Sequence, residues 1–178
     1  MSELAEHLRE IISSLSTATP EVKTDFLSRV QKGNLLRNED PLTHFCVFFV
    51  PYIRSEKKVF MGHHTKAASW IAPGGHIEPG HTIPEETVIQ EAREELGIEI
   101  TKERISTPFY LSAFDVFAPN RACQRHYSIW YFIPFEKEEQ FTIEEREFFA
   151  TKWISLADVH TLKTNTENLE AIEVLKTL

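Results

Sequence analysis

Three glutamates offer the sequence its clearest route to chemistry. Glu91, Glu94 and Glu95 stand at i, i+3 and i+4, a spacing that sets their carboxylates side by side on one helix face. Like charges so close repel one another, yet oxygen ligands on one rigid face also suit a hard divalent cation such as Mg2+. The same pattern serves a plain solvated helix, because glutamate is a good helix former. The approach to the helix tips the balance: Gly74, Gly75 and Gly80 lie just upstream, and glycines there let the backbone come close to a ligand and turn its carbonyls toward a metal.

These residues need a helix to hold them. Pro84 suits a first helical turn, Val88, Ala92 and Leu96 recur every fourth residue, and Gly97 is a natural stop. The spacing predicts about three turns of helix with an apolar stripe beside the carboxylates.

The whole stretch resembles the Nudix box of the Nudix hydrolases. That pattern runs glycine, five residues, glutamate, seven residues, then Arg-Glu, a hydrophobic, any residue, Glu-Glu, any residue, glycine and a hydrophobic. Gln90-Glu91-Ala92-Arg93-Glu94-Glu95-Leu96-Gly97-Ile98 matches its second half, with Gln90 in place of the arginine. Upstream, Gly74 to Gly80 is similar to the loop of many members; His81 stands where the pattern has a glutamate, and Ile83 is one residue extra. A neutral amide at position 90 supports a carboxylate about half as strongly as a charged donor.

The resemblance implies an α+β fold, an α/β/α sandwich whose mixed β-sheet carries the box helix, with added N-terminal helices and a closing C-terminal helix. The expected division is a helical extension over residues 1–40 and a Nudix-like domain over 41–178. It also implies a Mg2+- or Mn2+-dependent pyrophosphohydrolase acting on a nucleoside diphosphate-X type substrate. Glu91, Glu94, Glu95 and the Gly75 carbonyl are then the metal ligands, and Glu94, Glu95 or Glu147 takes the proton from water. Glu144 and Glu145 fit the same late-loop role. A catalytically weak nucleotide-binding or regulatory module on the same fold is the rival reading, favoured by His81 and Gln90. An isopentenyl-diphosphate type isomerase needs a cysteine near Pro73 to His76, where this chain has none.

Helical period appears over residues 3–15 and from about Pro20 to Gln31, ahead of the box. Such a hairpin offers a surface for homodimerisation, for covering substrate or for stability. Aromatic and β-branched residues mark strands at THFCVFFVPYI, KVFMGHH and SWIAP, then at Phe109 to Phe117 and Tyr127 to Phe135; the resemblance implies a further strand at TKWISL. TENLEAIEVLKTL returns to helical period.

With 178 residues and a formal charge of -8, the chain has length for a real core and no broad attraction for nucleic acid or anionic membrane. The expected partner is a small phosphorylated molecule. Lys66, Arg121 and Arg125 are candidates for its phosphates, and Trp70, with Phe109, Tyr110, Phe114 and Phe117, for stacking on a base. Cys46 and Cys123 read as thiols of a reducing compartment, since there is no CxxC spacing, HExxH pattern or Cys/His cluster along the sequence to suggest zinc. No signal-peptide core or membrane-length apolar run is present, so the expected location is cytoplasmic.

Overall fold

The structure is a computed structural model that describes residues 2–115 and 123–178. Two helices, α1 (Glu3–Ser14) and α2 (Pro20–Lys32), precede β1 (Thr43–Ile53), β2 (Lys58–His64), β3 (Ser69–Ile71) and β4 (Gly74–His76). Helix α3 (Pro84–Leu96) follows, then β5 (Tyr110–Asp115), β6 (Arg125–Pro134), β7 (Phe148–Ser155) and α4 (Thr166–Leu175). The described part of the predicted Phe109–Phe117 strand is β5, and Phe117 lies outside the described residues.

The seven strands form one mixed sheet in the order β3-β2-β1-β6-β5, with β4 on β1 and β7 on β2. Among the described residues only the β1–β6 pairing is parallel. One edge of β1 is shared: its C-terminal end pairs with β2 at Tyr52 and Ile53, and its middle pairs with β4 at Cys46 to Phe48. Strand β4 was not expected from the sequence, because glycine is depleted in strands and Gly74-Gly75 reads as a loop. Register with β1 makes it a strand.

Alternation along β1 separates two cores. Phe45, Val47 and Phe49 pack with Val88, Ala92 and Leu96 of α3 and with Leu8 and Phe26 of the first two helices. Phe48, Val50 and Tyr52 face the other way, toward Trp130 and toward Ala171, Ile172 and Leu175 of α4. The sandwich of helices on both sheet faces is thus the expected architecture.

A buried ionic network ties α2 to the start of β1. Arg29, 5% exposed, donates to the carbonyls of Gly33, Asn34 and Thr43 and reaches Asp40 at 3.4 Å. Asp40 accepts from the N–H groups of Leu42 and Thr43 and from the Thr43 hydroxyl. Burial alone pushes the Asp40 carboxyl up, but these donors outweigh it and hold the group down at about 2.

Candidate active site

Local chemistry builds the platform first. Pro84 opens α3, and the Glu86 carboxylate accepts the otherwise unmatched N–H groups of Thr82 at 2.6 Å and Ile83 at 3.3 Å. Gly97 ends the helix in the left-handed conformation, φ 66°, which favours glycine. Val88, Ala92 and Leu96 are fully buried. With that stripe docked on the sheet, Glu91 and Glu95 turn toward β4.

The approach of helix to strand depends on Gly75. A Cβ at that position would lie 1.8 Å from Glu91 Oε1, so any side chain would displace the carboxylate. Next to it, the Gly74 N–H donates to Glu95 Oε2 at 2.9 Å. Glu95 is 5% exposed. Burial and then the neighbouring Glu91 push its carboxyl well above the ordinary range, and the Gly74 bond only partly opposes them. Glu91 is pushed up to about 7 by burial, then by Glu94, Glu78 and Glu147. Glu94 is exposed and accepts from the Gln90 amide at 2.9 Å.

The loop before β7 closes the site. The Glu144 N–H donates to the Glu95 backbone carbonyl, and the Thr65 hydroxyl donates to the Glu147 carbonyl. Glu147 is placed between Lys66 Nζ, at 2.8 Å, and His64 Nε2, at 3.1 Å. Of the three late-loop glutamates, Glu144 and Glu147 line the cleft, and the charge of Glu147 pushes up both Glu91 and Glu95. Lys66, Gly75, Glu91, Glu94, Glu95 and Glu147 all line one cleft of about 1300 Å3.

These residues fit a divalent cation. Among the described residues no cationic side chain forms an ion pair with Glu91 or Glu95, so burial and mutual repulsion favour the protonated form of each. A hard ion taking oxygen ligands relieves that repulsion more fully than a proton can.

Other sequence candidates fall elsewhere. Arg125 bonds Asp115 at 2.8 Å and Asp25 at 3.1 Å and lines a separate concavity beside Tyr110 and Glu170, so its charge is already matched there. Trp70, on β3 at the end of the sheet, packs against His63 and lies under Lys152 Nζ, 4.5 Å from its ring. Phe109 is 4% exposed in the core, and Arg121 lies outside the described residues. His81 does not take over the work of a carboxylate: its Nδ1 is 2.9 Å from the Thr87 hydroxyl. Gln90 holds Glu94, where the box pattern led us to expect support for Glu91. Sequence reasoning passed over Glu78, Arg37 and Arg146, which also line the cleft; Glu78 could have been found from its place between Gly75 and Gly80.

A mixed sheet sandwiched by helices, with a glycine strand laid against a helix bearing clustered glutamates, defines the Nudix fold. The NUDIX domain model matches residues 43–175, and the chain belongs to the Nudix family. Among solved structures, the dihydroneopterin triphosphate pyrophosphohydrolase of E. coli superposes with TM-score 0.61 at 22% identity, covering 72% of this chain and 92% of that one. A NUDIX family hydrolase from Clostridium perfringens gives 0.58 at 26% identity, covering 75% and 97%. The NUDIX domain of Shewanella oneidensis NrtR, complexed with ADP ribose, gives 0.58 at 18% identity, covering 76% and 86%. No curated protein matches the sequence. Among the described residues no helix is long and apolar enough to cross a membrane.

Proposed function

We propose that the protein is a divalent-metal-dependent hydrolase that cleaves the pyrophosphate linkage of a nucleoside diphosphate-X type substrate. The observation that carries this reading is the packing of Glu91 and Glu95 together against Gly75 and Gly74, with Glu147 brought into the same cleft. Glu91, Glu94, Glu95 and the Gly75 carbonyl hold Mg2+ or Mn2+. Such ions, when bound, neutralise phosphate charge and acidify a water. Lys66, exposed at the cleft rim, swings from Glu147 to a substrate phosphate, which frees Glu147 to take a proton. Water attacks phosphorus, the bridging P–O bond breaks, and two phosphomonoesters leave. Gln90 and His81 favour the rival reading of a binding module, since Gln90 lacks the positive charge and His81 the carboxylate of the box residues they replace.

Product chromatography after incubation with Mg2+ decides between them. The panel is ADP-ribose, nucleotide sugars, NADH, coenzyme A, dinucleoside polyphosphates and nucleoside triphosphates. One class is cleaved, the activity vanishes with EDTA, and it falls by at least about 10²-fold in Glu94→Gln or Glu95→Gln. Tight binding of one compound with no cleavage of any would replace the hydrolase by the binding module.

A further inference from the structure

On the sheet face turned away from α3, four side chains with nitrogen and sulfur donors converge. His44 and Cys46 sit two residues apart on β1, hence on one side of it. Strand pairing brings the others: His44 lies opposite His126 of β6, and Cys46 opposite His76 of β4. The three imidazole rings make a near-equilateral triangle, with centroids 4.8 Å apart for His44 and His76, 5.1 Å for His44 and His126, and 5.2 Å for His76 and His126. One ligand atom from each of the four residues lies within 4.8 Å of all the others. Bonds of about 2.0–2.3 Å around a tetrahedral zinc put neighbouring donors roughly 3.3–3.7 Å apart. Small side-chain rotations therefore close the set.

One ligand is already oriented. His44 Nδ1 lies 3.0 Å from the Asp40 carbonyl oxygen, an acceptor that places the proton on Nδ1 and makes Nε2 the lone-pair atom. In the structure Nε2 accepts from the Cys123 thiol at 3.7 Å, a weak bond that a metal on Nε2 replaces. His44 and Cys46 are buried, whereas His76 and His126 are half-buried and line the large cleft, which gives a cation its way in. Three imidazoles and one thiolate are ligands for a borderline-soft ion; Mg2+ requires oxygen.

We propose that His44, Cys46, His76 and His126 form a second metal site, which takes one Zn2+ ion and is separate from the glutamate cluster. The ion staples β1, β4 and β6. His76 follows Gly75 directly, so the staple also holds the segment on which Glu91 and Glu95 rest. This assignment stands apart from the hydrolase reading and survives if that reading fails.

Co2+ is the probe: its visible spectrum reports coordination geometry and its near-ultraviolet band reports a thiolate ligand. The full chain, stripped with a chelator, takes one equivalent in a tetrahedral spectrum with the thiolate band; Zn2+ displaces it and excess Mg2+ does not. The signal persists in Glu94→Gln, Glu95→Gln and Cys123→Ser. In Cys46→Ser the thiolate band is lost, and in His126→Gln or His76→Gln the affinity falls at least about tenfold, with circular dichroism confirming that each variant is folded. Should Cys46→Ser not fold, the two half-buried histidine variants decide the matter. An octahedral spectrum without the thiolate band, a band that follows Cys123 instead of Cys46, or unchanged affinity in both histidine variants would overturn the site.

Discussion

The two faces of the short strand β4 carry opposite kinds of chemistry. On the α3 side, Gly75 makes room for carboxylates that repel one another, and Glu91 is pushed up to about 7 by its burial and neighbours. On the α4 side burial favours the uncharged forms of His44 and Cys46. Burial lowers the proton affinity of His44 and keeps the Cys46 thiol protonated well above its ordinary range. Buried like charges are uncomfortable until a cation or proton joins them, whereas buried neutral donors carry no such strain. A cluster of the first kind reveals itself by its electrostatics and one of the second kind only by its geometry.

The largest expected effect breaks the support of the α4-side cluster. Asp40→Ala leaves the buried guanidinium of Arg29 without its carboxylate and removes the acceptor for Leu42 and Thr43, loosening the turn that delivers His44. Stability falls by about 3 kcal/mol in urea unfolding. A loss below about 1 kcal/mol would show that the carbonyl partners of Arg29 suffice.

A smaller effect sharpens the contrast in charge. Because the native carboxyl of Glu91 sits near 7, the folded protein keeps a proton that the unfolded chain gives up at about 4.5. Stability of the chelator-treated protein is therefore greatest below the unfolded value and drops as pH rises through that window, by about 2–3 kcal/mol. Glu95, raised for the same cause, adds in the same direction. Urea midpoints at about pH 5 and 8 measure the slope, Mn2+ opposes the drop, and Glu91→Gln flattens it. A slope that is the same in Glu91→Gln would remove that residue as its source.

Gly75→Ala tests the α3 side with the mildest change. The new methyl meets the far end of a side chain, Glu91 Oε1, so the carboxylate swings aside while the fold persists. Mn2+ affinity by calorimetry falls about tenfold, or about 1.4 kcal/mol, and the Co2+ spectrum of the histidine and cysteine cluster stays as it was. Undiminished Mn2+ affinity would show that Glu91 is not a ligand.

By itself the sequence determined the helix and its carboxylates. Neighbours on a helix lie at i+3 and i+4, so Glu91, Glu94 and Glu95 declare their common face, Val88, Ala92 and Leu96 declare the buried one, and Gly97 declares the end. Strand positions were legible for the same local reason, from apolar and β-branched runs such as Thr43–Ile53. What only the tertiary structure decided are the partners that strand register and loop paths choose. Glu144 and Glu147, not Glu145, are brought to the cleft by the path of the loop past the end of α3; Arg125 is diverted to Asp25, a hundred residues away in sequence; and the glycines of β4 become a strand by lying on β1. His44 and His126 had no signal at all, because they meet across a parallel pairing that closes only when the whole sheet has formed. Contacts set by covalent spacing can be read along the chain, and contacts set by non-local pairing exist only once the chain has folded.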